Sequence, residues 1–305
     1  MEKITIGLLD LGYREAADPL TSFMQVFDYA CAADKLGYSR FWLAEHHNSN
    51  IAAPFTNPEP MITLIAASTE NINIGAAGML LSIYEPYFIA TRFKILNNLF
   101  FNRIDLGLAK GNPELDFINN TNDTILFNDN YSRLYDYLYN EIDNYNNRKL
   151  VLPPFNGTVP ELWYLTSTYK NFNDIIRLKS NLCRSIMHGG LPEIIDYQKE
   201  QLLEFKGEYY AVHKCFPKIA VAVAVVIEGT IEKAKQKCNR IIKNYKINTS
   251  TITPIACTLN SLCDLLVNYQ FLFGVDEFII YDMDGNNDNK ISNLIKISEQ
   301  LTLKS

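Results

Sequence analysis

Short apolar runs alternate with segments of helical period along this chain, and this alternation limits the possible folds more than any other feature. Predicted strands, rich in β-branched residues, lie at 4–9, 40–44, 72–76, 104–108, 162–165, 220–227 and 277–280. Predicted helices, with apolar residues at three-to-four spacing, lie at 23–36, 58–68, 86–99, 131–145 and 289–301. Apolar strands separated by helices are typical of a parallel sheet that is buried on both faces.

The number of these units indicates one (β/α)8 TIM barrel over residues 1–305 rather than two domains. About eight such repeats fit into roughly 250 residues or more. The alternative is an open doubly wound sheet, which is disfavoured because no strand is followed by a Gly-x-Gly-x-x-Gly turn. Residues 112–159, rich in Asn, Asp and Tyr, are predicted to form a variable insertion after strand four that covers the barrel mouth. The alternative for this insertion is a solvated helix and loop without a role in chemistry.

Composition excludes several classes of partner. The formal net charge is −6 and the chain lacks a long basic run, which argues against nucleic acid. No apolar stretch reaches the roughly 18–20 residues that span a bilayer. The six cysteines include no Cys-x-x-Cys pair, so neither a zinc site nor a disulfide framework is predicted. With no signal-peptide pattern at the first residues, we expect a reduced, cytoplasmic protein without membrane or nucleic-acid partners.

The second predicted strand ends abruptly in a polar cluster, in the sequence RFWLAEHHN at residues 40–48. In a barrel, side chains at the carboxyl ends of strands form the active site. Glu45, His46 and His47 are therefore predicted to project into the barrel mouth as catalytic groups. The alternative is a histidine that caps a helix or bonds a loop carbonyl. A metal site is disfavoured because adjacent histidines on an extended chain point apart and no further ligand cluster is present.

Three other strand ends carry candidate binding residues. Small residues at 75–78, among them Ala77 and Gly78, would let a flat group approach the backbone, although tight barrel packing is an alternative explanation. Lys110 and Gly111 end strand four with a cation suited to a phosphate. The hydroxyls of Thr166, Ser167 and Thr168 end strand five ahead of a predicted helix, where an anion would bind.

Together these stretches resemble a known family. GYSRFWLAEHHN, INIGAAGMLL and NRIDLGLAKG, with GVDEFIIYDMDGNN near the C-terminus, resemble the bacterial luciferase-like flavin-dependent oxidoreductases, in a short single-chain branch. The resemblance implies a barrel, usually dimeric, that binds reduced FMN or a deazaflavin at its mouth. It also implies that His46 is the catalytic acid/base, with Glu45 or His47 fixing its tautomer.

The same resemblance assigns the cofactor-binding residues. It implies a cis peptide at Ala77-Gly78 against the flavin ring and a phosphate held by Lys110 and Ser167. Some positions depart from the family pattern. Lysine replaces arginine at Lys110. Ala109 stands where luciferase has a cysteine, and Thr166 stands where it has a glutamate. A lysine lacks the bidentate fork of arginine, so we expect a changed phosphate contact.

The resemblance favours a monooxygenase that uses reduced FMN, supplied by a separate reductase, and dioxygen on a small organic substrate. A separate reductase is expected because the chain has no nicotinamide-binding fingerprint. One alternative is a flavin- or deazaflavin-dependent reductase of C=C or C=N bonds, for example in dehydroamino-acid residues of a modified peptide. A second alternative is a flavin-binding protein without catalysis.

Overall fold

The computed structural model describes residues 3–15, 18–47, 55–110, 124–168, 171–188, 195–244, 252–275 and 277–303. Its strands are β1 (Thr5–Asp10), β2 (Arg40–Leu43), β3 (Asn73–Leu80), β4 (Ile104–Ala109), β5 (Glu161–Thr166), β6 (Asn181–Ser185), β7 (Ile219–Ile227), β8 (Ile255–Cys257) and β9 (Glu277–Asp282). Its helices are α1 (Pro19–Lys35), α2 (Glu59–Ala67), α3 (Pro86–Leu99), α4 (Thr124–Tyr139), α5 (Glu141–Asn146), α6 (Phe172–Arg177), α7 (Ile195–His213), α8 (Ile231–Asn244), α9 (Leu259–Phe273) and α10 (Asn287–Leu301).

Eight of these strands close into a parallel barrel, which confirms the predicted (β/α)8 fold. Each of β1 to β6 pairs with the next strand, β6 pairs with β7, and β9 pairs with both β7 and β1. The short β8 lies outside this ring and pairs only with the end of β7, at 225–227. All strand pairs are parallel, so the carboxyl ends of all eight barrel strands meet at one end of the molecule.

The period-two alternation of each strand divides the core into two layers. One side faces the helices, as with Phe41, Ile74 and Leu106, and the other side fills the barrel. Inside the barrel, both tryptophans of the chain meet edge to face, with the ring centroids of Trp42 and Trp163 5.0 Å apart. This interior is a packed core, as is typical of the fold.

The amino-terminal end of the barrel interior holds a buried charge cluster. Arg40 Nη1 donates to Asp105 Oδ2 at 2.5 Å, and Arg40 Nε donates to Glu277 Oε1 at 2.5 Å. Trp42 Nε1 also donates to Asp105 Oδ2, at 2.8 Å. Burial would lower the pKa of Arg40, but the two carboxylates raise it above its ordinary value. At Gly7 a Cβ would lie 2.4 Å from Arg40 Cγ, so glycine makes room for this side chain.

The predicted helix at 131–145 is two helices, α4 and α5, that meet at Asn140. The side chains of Phe127, Tyr131, Leu134 and Leu138 bury one face of α4 in the core between barrel and helices. The α4 helix also packs beside α3. This part of the predicted insertion therefore supplies the helix layer between β4 and β5. Residues 111–123 lie outside the described residues, so a cover over the mouth stays a prediction.

Two further observations concern the whole molecule. In the portion of the chain that is described, we find no helix with the length and apolar character needed to cross a bilayer. All six cysteines are free, and four of them are buried.

Candidate functional site

The structure brings most of the predicted site residues to one end of the barrel. Glu45, His46 and His47 follow β2, Ala77 and Gly78 lie in the second half of β3, Lys110 follows β4 and Thr166 ends β5. These four strands are consecutive neighbours in the ring. Gly111 lies outside the described residues.

Glu45 is a buried carboxylate whose donors come from its own segment and from the connection after β3. His47 Nε2 lies 2.5 Å from Glu45 Oε1, and Tyr84 Oη donates to the same oxygen at 2.6 Å. The backbone N–H of Leu80 donates to Glu45 Oε2 at 3.1 Å. Burial and the bond to Glu45 raise the pKa of Tyr84 above its usual value. Glu45 therefore fastens the segment after β2 to the end of β3.

His46 differs from its two neighbours because the described residues bond its main chain but not its ring Nδ1. Its backbone N–H donates to the carbonyl of Phe55 at 2.8 Å, which fixes the main chain. Its Nδ1 is buried and has no hydrogen-bond partner among the described residues. The predicted orientation of His46 by Glu45 or His47 is not present in the described hydrogen bonds, because those two side chains bond each other.

The environment keeps this imidazole neutral. Burial, with a smaller contribution from the nearby imidazoles of His188 and His47, lowers the pKa of His46 to about 4. At pH 7 His46 is thus a neutral ring that can accept a proton or a hydrogen bond. An unpartnered buried polar atom costs about 1–3 kcal/mol, so its presence at a strand end points to a ligand that supplies the partner.

The end of β1 shows the opposite arrangement. Asp10 is buried and accepts from both guanidinium ends of Arg14, at 3.1 and 2.8 Å, and from the N–H of Gly12 at 2.7 Å. Lys290 Nζ lies 4.0 Å from Asp10 Oδ2. Burial would raise the pKa of Asp10, but these cations lower it below its usual value. The Asp10 carboxylate is therefore satisfied, and it serves to join β1 to α10.

The peptide bond between Ala77 and Gly78 is cis, as predicted. A Cβ on Gly78 would lie 2.7 Å from Leu165 Cδ1 and 3.0 Å from the carbonyl oxygen of Gly107. The space that a side chain at Gly78 would need is therefore occupied by the packing of the barrel wall. Ala77 is half-buried against the interior cluster and is the residue of the pair that borders the mouth. Contact of this pair with a flavin stays a prediction.

Lys110 has its backbone fixed and its side chain on the outer side of the barrel wall. Its carbonyl accepts from Ser82 Oγ at 2.9 Å. Its Nζ lies 5.6 Å from the ring centroid of Phe127 in α4, a cation–π contact. A phosphate at the end of β4 would take the ammonium from this ring.

The three hydroxyl residues after β5 form a turn rather than a helix cap. Thr166 Oγ1 accepts from the N–H of Thr168 at 3.1 Å, and Ser167 is exposed. The next helix begins only at Phe172, with Asn171 at its N-cap and no side-chain cap bond. The predicted anion site therefore cannot use this helix N-terminus directly, although the exposed Ser167 hydroxyl stays a candidate phosphate ligand.

The sequence of this region matches a known family. The model of the luciferase-like monooxygenases matches residues 6–139, which include β1 to β4 and the Glu45–His47 segment. Over these residues the chain is similar to the luciferase-like monooxygenases. This similarity indicates an enzyme of the oxidoreductase class.

Curated relatives agree with this assignment. The chain is 29% identical to the uncharacterized protein YwcH of Bacillus subtilis over 246 residues, which cover 76% of this chain and 71% of YwcH. It is 40% identical to a luciferase-like monooxygenase of Escherichia coli over 109 residues, 35% of this chain and 32% of that protein. It is also 40% identical to the N-acetyl-S-alkylcysteine monooxygenase of Bacillus subtilis over 111 residues, 35% and 32% of the two chains. The latter two matches thus span about a third of those relatives.

Solved structures share the fold over nearly the whole chain. Apo-MsnO8 superposes with a TM-score of 0.80 at 20% identity and 99% coverage of both chains. The oxygenating constituent of 3,6-diketocamphane monooxygenase from Pseudomonas putida, in complex with FMN, superposes at 0.72 with 16% identity and 99% coverage of both chains. An F420-dependent secondary alcohol dehydrogenase superposes at 0.69 with 11% identity, over 96% of this chain and 97% of that one. At these identities the likeness concerns the fold alone.

Proposed function

We propose that the protein is a flavin-dependent monooxygenase that uses reduced FMN and dioxygen on a small organic substrate. The observation that carries this proposal is the buried, unpartnered Nδ1 of His46 at the end of β2, in a chain similar to the luciferase-like monooxygenases. The FMN bound to the Pseudomonas putida oxygenating constituent supports the choice of cofactor. Because the sequence has no nicotinamide-binding fingerprint, a separate reductase would deliver the reduced flavin.

The residues at the mouth fit a flavin. Ala44, Ala77 and Leu165 are apolar and border the interior cluster, so a ring system can lie on them with little water beneath it. His46 offers the unsatisfied nitrogen atom. Lys110 and the exposed Ser167 offer a cation and a hydroxyl at neighbouring strand ends, the donor set that a phosphate requires.

The roles of the side chains follow from this arrangement. Bound reduced flavin would supply the two electrons, since the chain itself has no redox group for the reaction. His46, which is neutral at pH 7, would accept a proton or a hydrogen bond beside the reacting atoms. Glu45 would position this segment through its bonds to Leu80 and Tyr84.

A second candidate is a reductase that transfers hydride from a flavin or deazaflavin to a C=C or C=N bond. The F420-dependent dehydrogenase with the same barrel supports this chemistry. Such a reaction needs the same apolar surface under the flavin and the same proton donor, but no dioxygen. The absence of the luciferase cysteine and glutamate at Ala109 and Thr166 is compatible with it.

One experiment separates the two candidates. Photoreduced FMN is mixed with the protein and either a thioether, a cyclic ketone or a dehydroamino-acid peptide, with oxygen and under anaerobic conditions. A monooxygenase forms a product one oxygen atom heavier, and only when oxygen is present. A reductase forms a product two hydrogens heavier without oxygen. Product formation that is unchanged in His46→Ala would contradict the role given to this residue, for which we expect a loss of about 10²–10⁴-fold.

We also propose that the protein forms a homodimer through α2 and α3. On α3, Phe88, Ile95 and Leu99 lie on one face and are exposed, Phe88 by 57% and Leu99 by 61%. The ion pair between Arg92 and Glu59, at 3.3 Å, joins this helix to α2. Exposed apolar side chains grouped on one face are typical of an interaction surface. Light scattering should show a dimer for the wild type and a monomer for Ile95→Lys.

A further inference from the structure

A second imidazole lies across the barrel mouth from His46. In the ring of eight strands, β2 and β6 are separated by three strands on either side, so they are diametrically opposite. His46 is the third residue after the end of β2, and His188 is the third residue after the end of β6. The sequence analysis missed His188 because β6 was not among the predicted strands.

The contacts of His188 fix one side of its ring. A hydrogen bond of 2.6 Å joins its Nδ1 to Ser185 Oγ. Ser185 is the last residue of β6 and follows Cys183 by two positions. Its side chain is therefore on the same side of the strand as that of Cys183, which faces the barrel interior. The carbonyl of the neighbouring Met187 accepts from the N–H of Thr253 at 2.8 Å, which holds this segment in place. No hydrogen bond within the described ranges uses the Nε2 of His188.

The imidazole of His188 acts on His46 electrostatically. Burial lowers the pKa of His46 most, and the imidazoles of His188 and His47 lower it further. Partial burial of its ring lowers the pKa of His188. Among the other charged groups at the mouth, Asp10 bonds Arg14, Glu45 bonds His47 and the Lys110 ammonium lies over the Phe127 ring. Because His188 is exposed and the Nδ1 of His46 is buried, the proton should go to His188 first.

We propose that His188 is a second catalytic imidazole, which carries the proton into the site while His46 stays neutral and Ser185 holds the His188 ring. In the protonated ring both nitrogens carry hydrogen, so Nδ1–H donates to Ser185 Oγ and the transferable proton is on Nε2. In one turnover the His188 imidazolium gives this proton to the reacting group, becomes neutral and takes a proton from solvent at the mouth, so the histidine ends unchanged. This inference rests on the proposed oxidoreductase function, and it reverses the expectation that His46 alone provides both acid and base.

The order of protonation can be measured on the protein without cofactor. The chain has four histidines, so imidazole ¹⁵N NMR spectra between pH 4 and 9 can be assigned with one His→Gln variant for each. We expect His188 to titrate at a higher pH than His46. His188→Gln should raise the pKa of His46, and Ser185→Ala should change the tautomer of neutral His188. If His46 takes the proton first, or its titration is unmoved by His188→Gln, the proposal is wrong.

A kinetic measurement then tests the catalytic role. Oxygen uptake with reduced FMN is followed as a function of pH in the wild type and in His188→Gln, with FMN affinity measured in parallel. We expect the variant to lose about 10²-fold or more in rate together with the alkaline limb of the profile, where the wild type loses the His188 proton, at unchanged FMN affinity. His213→Gln is the matched control, because His213 Nε2 bonds the carbonyl of Ile176, away from the mouth.

The outcomes separate this inference from the proposed function. An alkaline limb that persists in His188→Gln and disappears in His46→Gln would overturn the proposal. If the wild type shows neither flavin binding nor flavin-dependent oxygen uptake, the proposed function is wrong, and the NMR titration still decides which imidazole is protonated first.

Discussion

The two ends of the barrel interior differ in whether their ionisable side chains have hydrogen-bond partners. At the amino-terminal end, Arg40 lies between Asp105 and Glu277 at 2.5 Å from each. At the carboxyl end, His46 keeps a buried ring nitrogen that no described residue bonds. Paired charges at the first end hold strands together, whereas the unpaired imidazole at the second end costs stability. Asp105 Oδ1 and Trp163 Nε1 are also buried without a partner among the described residues, so His46 is distinguished by its place at a strand end, where a ligand can reach it.

Breaking the paired end should have the largest effect. Arg40→Met would leave the Asp105 and Glu277 carboxylates inside the barrel without their cation. Removing one member of a buried charge cluster costs about 3–5 kcal/mol of unfolding free energy. Urea denaturation followed by the fluorescence of the two tryptophans, which lie inside the barrel, measures this loss.

The control for this prediction is an ion pair on the surface. Arg177→Met removes the ion pair with Asp174, in which the arginine side chain is 49% exposed, and should cost less than about 1 kcal/mol. If Arg40→Met fails to fold, Glu277→Gln provides a milder variant with the same expected direction. Equal costs for Arg40→Met and Arg177→Met would show that the cluster does not stabilise the barrel.

The buried imidazole of His46 predicts that the free energy of unfolding depends on pH. The pKa of His46 falls from 6.5 to about 4 on folding, so the unfolded chain binds this proton first as the pH is lowered. The stability of the wild type should therefore be unaffected by His46 above about pH 7 and should fall between about pH 6.5 and 4. At roughly 1.4 kcal/mol per pKa unit, the loss amounts to about 3 kcal/mol.

Replacing the imidazole tests this effect directly. His46→Gln should lose about 3 kcal/mol less than the wild type when unfolding is compared at pH 7 and pH 4. His213→Gln should keep the wild-type pH dependence, because no comparable burial surrounds that ring. Parallel acid dependence in wild type and His46→Gln would mean that His46 is not kept neutral by its environment.

Two substitutions at the end of β3 should distinguish an effect on core packing from an effect on flavin binding. Gly78→Ala puts a Cβ 2.7 Å from Leu165 and 3.0 Å from the backbone of Gly107, so we expect a loss of about 1–3 kcal/mol in stability. Ala77→Val changes a half-buried side chain at the mouth. It should cost less stability and weaken FMN binding more. The reverse pattern in thermal unfolding and FMN titrations would assign Gly78 to the ligand and Ala77 to packing.

The smallest effect is expected for Lys110, the proposed phosphate ligand. Lys110→Ala should weaken FMN by about tenfold, since a charge-assisted hydrogen bond is worth roughly 1.5–3 kcal/mol and part of it is offset by the lost contact with Phe127. Riboflavin, which lacks the phosphate, should bind the variant and the wild type equally. Equal weakening of both ligands would remove Lys110 from the phosphate site.

The sequence was sufficient to predict a barrel strand wherever that strand is a continuous apolar run. The α3 helix was predicted at 86–99, with the bounds that the structure has. The β6 strand was missed because its five residues, Asn181–Ser185, include asparagine, arginine and serine. Its burial depends on β5 and β7, which no local pattern reveals. A signal was nevertheless present, because a polar histidine follows this strand at the same spacing as His46 follows β2.

The site was predictable as a set of strand ends but not as a set of contacts. The prediction placed Glu45 near His46 because the two are adjacent in sequence. The structure pairs Glu45 with Tyr84 and Leu80, which are 39 and 35 residues away. Which of several adjacent polar residues remains unpaired depends on such distant partners, so only the folded chain distinguishes His46 from its neighbours.

The most direct test of the account is an equilibrium titration of the protein with FMN, riboflavin and a deazaflavin, followed by quenching of the two buried tryptophans. The account predicts saturable binding of one FMN per chain, with riboflavin competing at lower affinity. It also predicts that Ala77→Val weakens this binding while the surface variant Arg177→Met does not. Failure of all three ligands to bind, or equal affinity of FMN in Ala77→Val and the wild type, would contradict the claim that the unpaired end of the barrel is a flavin site.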